Sequence, residues 1–328
     1  MLTEFHFDEE FLSATDISGS AAAMVNTILL DFWLNKGCLI FPYSSLAKYK
    51  EWEITIPPKY SKKWMTALNS AKRHDFNKNY KRMVEFNSLQ ELCELYKENC
   101  LDLILVPNEF NKLGFSDKVD ILKSKNFEIS KINGLLDSDS YRKSEKLSNS
   151  GIEANYDIRS IWNERFLKVA KHTKVITIVD RYFNDNLMKD ITTHAHKTSL
   201  DNFIDFLTSS KTDNQYSITI YTDAGEFNSN KNIELSNFLR KRVKENPRYK
   251  LIIKNIKVIS CEAEYFKKHS HDRFICFDEI VYEVGRGFEM FRTLDCSATT
   301  LTIKNIHCSS FKRSIGALIG GMTWNENF

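Results

Sequence analysis

The chain has 328 residues, 42% of them hydrophobic and 27% charged, which favours two globular domains that each bury a core. Its net charge of +3 is too small to indicate a nucleic-acid partner by itself, and its seven cysteines, with no C-x-x-C pair, argue against a disulfide framework or a zinc site. The acidic N-terminus is unlike a signal peptide and no apolar run reaches the roughly 18 residues of a membrane span, so we expect a cytoplasmic protein without a transmembrane segment.

Helical and strand-like patterns alternate in the first 150 residues. Apolar residues at helical spacing over residues 21–35 precede short apolar strands at 38–41 and 101–106, which predicts a smaller α/β domain. The basic run over residues 72–82 includes aromatic residues and would suit phosphate contacts, but a solvated helix explains it equally well. We assign no activity to this domain, and a protein partner that binds through residues 1–150 stays open.

Residues 131–155 differ in composition from the segments on either side. They are rich in Ser, Asp, Lys and Asn, contain Gly134 and Gly151, and hold few apolar residues. This composition predicts a linker or an exposed connection. We therefore place the domain boundary there, with one domain at 1–150 and the other at 151–328.

The second domain has a more regular pattern of strands and amphipathic helices. Its predicted strands lie at 174–183, 216–222, 256–260 and 274–277. Helical spacing of apolar residues separates several of these strands, which predicts a mixed or mostly parallel sheet flanked by helices. Ligands of such sheets bind at the carboxyl ends of the strands, where we expect Asp180, Arg181, Thr222, Asp223 and His271.

The most specific motif follows the predicted strand at 256–260. His271, Arg273 and Asp278 are spaced as H-x-R-x4-D, and Gly285 and Gly287 follow as G-x-G. If this segment is a strand, His271 and Arg273 point to the same face. An imidazole there could attack phosphorus while the guanidinium holds the phosphate oxygens.

This spacing resembles the H-x-K-x4-D-x6-G signature of the phospholipase D superfamily, with arginine in place of lysine. Residues 179–183, 271–273 and 284–291 more closely resemble the D-P-Y-I, H-D-R-E and I-G-R-G-L-D-Y-F segments of the phospholipase D-like domain at the C-terminus of MIT-domain proteins. The resemblance covers about residues 156–305 and implies a phospholipase D-like mixed sheet. The first half of the chain shows nothing like a MIT helical bundle.

The resemblance implies one set of roles for a catalytic site. His271 would form a phosphohistidine, Arg273 and Arg286 would hold the non-bridging oxygens, and Asp278 would orient an imidazole. Neither a metal nor a cofactor is required. Superfamily enzymes bring two such motifs together, so a chain with a single motif implies a homodimer.

The same residues imply a different site if the domain only binds. Arg181 and Arg286 would then join Arg273 as an anion pocket, with phosphate also close to Gly285 and Gly287. Asp180 and Asp272 would support these groups. The MIT-associated relatives that share H-D-R are regarded as non-hydrolytic and bind acidic phospholipids, whereas a purely structural use of the aspartates, arginines and glycines also stays open.

Two functional hypotheses follow. The first is a phosphate- or phosphodiester-engaging protein that acts on or binds nucleic acid, such as a metal-independent nuclease in microbial antiviral defence. The alternative is a non-catalytic adaptor that binds anionic phospholipid or a protein partner. His194 and His196 have the spacing of strand-borne metal ligands, but no third ligand is apparent, so we expect no metal site.

Overall fold

The chain forms two compact units, Met1–Leu147 and Ser148–Phe328, in a computed structural model. The structure describes residues 2–7, 10–11, 14–19, 22–41, 56, 58–75, 80–96, 101–125, 127–193, 197–210, 215–305 and 308–328. The division falls three residues from the boundary that the composition predicts. Among the described helices, none has the length and apolar character needed to cross a membrane.

The first unit is built on a mostly parallel sheet. Its strands are β1 (Thr3–His6), β2 (Gly37–Phe41), β3 (Arg73–Asp75), β4 (Leu103–Val106), β5 (Ile121–Lys123) and β6 (Glu128–Lys131). Its helices are α1 (Thr15–Ser18), α2 (Ala22–Asn35), α3 (Pro58–Ser70), α4 (Leu89–Tyr96) and α5 (Asp139–Asn149), with 3-10 turns at Met83–Glu85 and Ile132–Asp137. The described strands lie in the order β3-β2-β1-β4-β6-β5, and the pair β5 and β6 is antiparallel.

Buried polar contacts fix the helices over this sheet. Trp33 and Trp64 are both fully buried, and the Trp64 indole donates to the Asn26 amide oxygen at 2.5 Å. The Asn26 amide nitrogen in turn donates to the carbonyls of Ile17 and Ala22 at 2.9 and 2.7 Å. The core of this unit is therefore pinned by hydrogen bonds as well as by apolar packing.

The expected linker at 131–155 is wrong in its first part, because this part belongs to the folded first unit. It contains the end of β6, a 3-10 turn and α5. Ile132 and Leu135 pack into the core, and the Glu128 carboxylate accepts hydrogen bonds from the first two backbone N–H groups of α5. The polar composition reflects the exposed face of a short helix, which resembles a linker when residues are only counted.

The second unit has a mixed sheet with the strands β8 (Val175–Val179), β9 (Tyr216–Thr222), β10 (Ile253–Cys261), β11 (Phe274–Phe277), β12 (Ile280–Val284), β14 (Leu301–Asn305) and β15 (Met322–Asn327). A separate small ribbon pairs β7 (Tyr156–Asp157) with β13 (Asp295–Cys296). The described order is β14-β12-β11-β8-β9-β10-β15, with β8, β9 and β10 parallel and the remaining pairs antiparallel. The expected α/β class is confirmed.

Helices cover this second sheet. They are α6 (Ile158–Ile161), α7 (Leu167–Lys171), α8 (Phe183–Thr192), α9 (Ser199–Ser209), α10 (Asn230–Glu245), α11 (Pro247–Ile252), α12 (Ala263–His269) and α13 (Ser309–Gly320), with a π-helical turn at Trp162–Phe166 and a 3-10 turn at Gly287–Phe291. The 3-10 turn is anchored by Phe288, whose ring lies 5.0 Å from Phe183 and 5.1 Å from Phe203. This aromatic packing holds the segment after β12 against the carboxyl end of β8.

Candidate anion-binding site

The site lies where β8 and β9 end and β11 begins. Strands β8 and β11 are antiparallel, and Val179 pairs with Phe274. The residues just beyond this pair, Asp180 and Arg273, are therefore neighbours. Strand β9 ends beside them, since the Asp180 N–H donates to the Tyr221 carbonyl at 3.0 Å. The sheet thus brings together segments that are more than 90 residues apart in sequence.

Asp180 is the buried centre of this site, with 1% of its surface exposed. One carboxylate oxygen accepts from the Tyr182 N–H at 3.0 Å, and the other accepts from the Phe288 N–H at 2.8 Å. The Arg273 Nε atom lies 3.8 Å from the first oxygen. A single carboxylate therefore connects the end of β8, the G-R-G turn (residues 285–287) with the residue after it, and the residue that precedes β11.

Burial raises the pKa of the Asp180 carboxyl group to about 6, since the charged form loses its water. The hydrogen bonds from Phe288 and Tyr182 and the charge of Arg273 lower the pKa, but only in part. The carboxylate is consequently ionised near neutral pH, where it partly offsets the charge of Arg273, and it becomes neutral in mild acid.

Both glycines of the G-x-G segment allow close packing around this carboxylate. Gly287 has φ +61°, and a Cβ atom there would lie 2.3 Å from an Asp180 oxygen and 2.4 Å from the Arg273 Cδ. At Gly285 a Cβ would meet the Thr300 hydroxyl at 2.5 Å, and the Gly285 carbonyl accepts from the Arg273 guanidinium. The glycines position Arg273 through these contacts.

Two guanidinium groups gather on one exposed aromatic ring. The guanidinium carbons of Arg181 and Arg273 lie 5.3 and 5.0 Å from the centroid of the Tyr182 ring, which is within cation–π range. Tyr182 is 42% exposed. Within the part of the chain that the structure describes, Arg181 forms no ion pair, and Glu264 nearby pairs with Lys267 at 2.5 Å. The result is a pair of half-buried cations on one exposed ring.

The sequence did not single out Tyr182 as a site residue. Its backbone N–H is held by Asp180, and its ring stands beyond the last residue of β8. An aromatic residue that directly follows a buried strand and an arginine was the available signal. The sequence around Tyr182 does not indicate whether the ring is buried or exposed, because this depends on the packing of the folded domain.

The expected placement of His271 and Arg273 on a strand is wrong, because β11 begins at Phe274. Helix α12 ends at His269, and the Ser270 hydroxyl donates to the Asp272 carbonyl at 3.3 Å in the loop that follows. His271 and Asp272 are exposed in this loop. In the described residues, the His271 imidazole has no hydrogen-bond partner, so nothing orients it.

The expected role of Asp278 is also wrong for the imidazole of the same chain. Asp278 lies beyond the opposite end of β11, about 16 Å from Arg273 along the strand. Its carboxylate accepts from the N–H groups of Val175 at 2.8 Å and Lys174 at 3.2 Å, and its own φ is +47°. Asp278 therefore stabilises the β11–β12 hairpin and the start of β8.

Arg286 is engaged locally. Its guanidinium donates to the Glu289 carboxylate at 2.8 Å, and its backbone N–H donates to the Thr299 hydroxyl at 2.9 Å. The charge of Arg286 is therefore offset by a neighbour three residues away. Of the cations expected at this edge, Arg181 and Arg273 are the two on the Tyr182 ring.

Comparison with known proteins adds no assignment, because no protein-family model matches the chain and no curated protein is significantly similar to it. No group of three or more His, Cys, Asp or Glu side chains in the described residues could hold a metal ion. His194 and His196 lie outside these residues. The chemistry of the site therefore rests on two arginines, one tyrosine ring and one buried carboxylate.

Proposed function

We propose that the second unit binds the phosphate groups of a phosphodiester, with nucleic acid as the ligand. The observation that carries this proposal is the pair of guanidinium groups on the Tyr182 ring. A planar guanidinium donates two parallel hydrogen bonds to phosphate oxygens, and two of them beside each other match the charge of a phosphate or of adjacent phosphates. The Asp180 carboxylate lies 3.8 Å from the Arg273 Nε atom, and burial raises its pKa, so it offsets the charge of Arg273 only in part.

Binding is better supported than hydrolysis. A histidine nucleophile needs a fixed orientation and a second group that protonates the leaving oxygen. His271 is exposed without a partner in the described residues, and Asp278 holds backbone N–H groups at the other end of β11. A complete hydrolytic site would need a second copy of the chain, as in the homodimer hypothesis. A role as an antiviral nuclease depends on such a dimer.

The second candidate function is an adaptor for anionic phospholipid. The H-D-R and G-R-G resemblance supports it, and so does Phe227, which is 69% exposed in the loop after β9. Exposed aromatic rings on a domain that also exposes cations suit the interface of a membrane. Nucleic acid remains the preferred ligand because Tyr182 and the arginines form one cluster in which base and phosphate contacts are adjacent.

Fluorescence anisotropy tests the proposal. Labelled single- and double-stranded DNA and RNA, and separately vesicles with and without acidic lipid, are titrated with the 328-residue protein in EDTA. We expect nucleic acid to bind, and Arg273→Gln and Arg181→Gln each to weaken binding about tenfold, which corresponds to about 1.4 kcal/mol. Arg159→Gln, a change of the same type at an exposed position on α6, is the matched control and should bind normally.

The outcomes separate the candidates. Binding only to acidic vesicles would favour the adaptor. If all three arginine variants bind nucleic acid as tightly as the parent, this site is ruled out. The same nucleic acids are then incubated for hours and resolved on a denaturing gel. We expect intact strands, whereas cleavage that His271→Ala abolishes would establish the nuclease.

A further inference from the structure

We infer that the ligand of this edge is single-stranded nucleic acid, with its bases stacked on Tyr182 and Phe227 while its phosphates contact Arg181 and Arg273. This inference rests on the proposed function and adds the strand state of the ligand. Its support comes from two exposed aromatic rings, one shortly after β8 and one in the loop after β9, from the hydrogen bonds that hold this loop, and from the carboxylates that the loop carries.

The first ring stands on a fixed backbone. Tyr182 precedes α8, and its N–H is bound to the buried Asp180 carboxylate at 3.0 Å. Its 42% exposed ring therefore faces solvent from a rigid position, beside two guanidinium groups. Aromatic rings and guanidinium planes are the groups on which unpaired bases stack, without preference for a particular base.

The second ring belongs to the loop that leaves β9, the parallel neighbour of β8. The two strand ends are joined directly, because the Asp223 N–H donates to the Arg181 carbonyl at 3.3 Å. Phe227 follows four residues later and is 69% exposed. An isolated exposed phenylalanine is unremarkable in a loose loop, so the question is whether this loop is fixed.

Polar contacts hold the loop on both sides of Phe227. The Gly225 carbonyl accepts from the side chains of Ser260, Thr323 and Trp324 at 2.8, 3.1 and 2.9 Å. On the other side, the Asn228 N–H donates to the Asn232 side chain at 3.0 Å. The fold thus keeps an apolar ring in water on an ordered loop, as expected for a ring that stacks on a ligand.

The surrounding charges favour a single strand over a duplex. Asp223 and Glu226 lie on the loop after β9, which contacts Arg181 because the Asp223 N–H donates to the Arg181 carbonyl. A duplex carries one negative charge per roughly 1.7 Å and keeps its bases stacked inside, so its phosphates would meet these carboxylates while its bases could not reach the rings. A single strand can place one or two phosphates on the arginines and turn its bases outward.

The test compares ligands with and without accessible bases. The 328-residue protein is titrated with a labelled oligothymidine of twelve nucleotides (dT12) and with a labelled duplex of equal length, and inorganic polyphosphate serves as a base-free competitor. We expect dT12 to bind at least tenfold more tightly than the duplex. Tyr182→Leu and Phe227→Ser should each weaken dT12 binding about fivefold or more, as expected for the loss of one stacked base. In the two aromatic variants, the inhibition constant of polyphosphate should differ from that of the parent by less than twofold. It is calculated from the half-inhibiting concentration with a correction for the affinity of dT12.

Two further variants serve as controls. Tyr182→Phe keeps the ring and should bind like the parent, which separates stacking from the hydroxyl group. Leu251→Ser removes a side chain of similar exposure, 67%, from α11 and should have no effect. Phe227→Ser tests the inference even if Tyr182→Leu disturbs the positions of the arginines, because the Phe227 ring is exposed.

Each remaining result overturns the inference in a recognisable way. If the duplex binds as tightly as dT12, or if the aromatic variants bind dT12 normally while the arginine variants do not, the inference fails and the proposed phosphate site stands. If Phe227→Ser reduces binding to acidic vesicles and not to dT12, the ring belongs to a membrane contact. If neither nucleic acid nor polyphosphate binds, the proposed function fails as well.

Discussion

The two ends of the β8–β11 strand pair each carry an aspartate that accepts two backbone hydrogen bonds, yet they do different things. At one end, Asp180 is buried beneath Arg273 and joins three segments of the chain. At the other end, Asp278 holds the start of β8 from a hairpin position with positive φ. The Asp180 end gathers two guanidinium groups on the Tyr182 ring, whereas the Asp278 carboxylate accepts backbone N–H groups at the start of β8.

This difference shows why motif spacing alone does not assign a role to a carboxylate. The H-x-R-x4-D spacing spans a four-residue strand, so its first and last members necessarily lie at opposite ends. The residue that supports Arg273 instead comes from β8, more than 90 positions earlier in the sequence. The comparison can be tested by changing each end separately.

The largest expected effect is that of Gly287→Ala at the Asp180 end. A Cβ there would lie 2.3 Å from the carboxylate, and the φ of +61° is strained for alanine, so we expect a loss of about 3 kcal/mol in the free energy of unfolding. Urea denaturation measures the change. Gly316→Ala is the control, because Gly316 lies in α13 with no atom within 4 Å of a Cβ, and alanine should stabilise this helix by about 0.5–1 kcal/mol. Equal effects of the two substitutions would contradict the packing described here.

The second expected effect concerns pH. The pKa of Asp180 is raised to about 6, above the ordinary value of 3.8, so protons favour the folded state. The contribution to stability is complete below pH 4 and is lost as the pH rises through 6, and it amounts to about 3 kcal/mol. The Asp180→Asn variant has no carboxyl group at this position and therefore lacks this pH-dependent contribution. The unfolding free energy of the parent minus that of the variant, measured in urea from pH 4 to 7, should therefore fall with rising pH. The contributions of the other carboxylates are the same in both proteins and cancel in this difference.

A binding experiment gives the functional counterpart. Protonation of Asp180 removes the negative charge next to Arg273, so the affinity for dT12 should rise as the pH falls through about 6. Asp180→Asn should show a smaller rise over the same range. An identical pH profile in both proteins would mean that Asp180 does not control the charge of this end.

The third expected effect separates the arginines. Arg273→Gln should weaken nucleic-acid binding about tenfold, whereas Arg286→Gln should weaken it less than threefold, because the Arg286 charge is already offset by Glu289. Anisotropy titrations at one fixed salt concentration provide the comparison. A larger loss with Arg286→Gln would move the site toward the G-R-G turn and away from the Tyr182 ring.

The smallest expected effect is at the Asp278 end. Asparagine retains an acceptor for one backbone N–H and tolerates positive φ, so Asp278→Asn should cost about 1 kcal/mol or less. Binding of dT12 should be unchanged. Urea denaturation and anisotropy on the same preparation check both statements, and a clear loss of binding would contradict the structural role assigned to Asp278.

The sequence predicted the existence of the two strands that form this edge. Apolar runs at 174–183 and 274–277 predicted strands, of which the first ends four residues earlier, at Val179, in the structure, and the carboxyl-end rule placed Asp180 and Arg181 at one edge. What the sequence could not give was the start of β11, because the turn from Ser270 to Asp272 depends on where α12 ends. A shift of three residues removed His271 from the strand and left only Arg273 beside Asp180.

Tyr182 and the segment at 131–155 were missed for a related reason. Composition and spacing do not show which face of an element is covered. The polar segment folds as a 3-10 turn and a helix, with Ile132 and Leu135 of the turn in the core. Tyr182 is exposed, whereas the next residue, Phe183, is buried and packs on Phe288. Tertiary packing decided both cases.

The central claim is that anions bind at the Asp180 end of the strand pair. The most direct measurement is a titration of the labelled protein with dT12 followed by NMR of arginine Nε–H and backbone N–H groups. The claim predicts the largest shifts at the Arg181 and Arg273 side chains and at the Tyr182 and Phe288 amides, with the Lys174 and Val175 amides at the Asp278 end unchanged. Shifts confined to the Asp278 end, or bound dT12 with no response at either arginine, would contradict it.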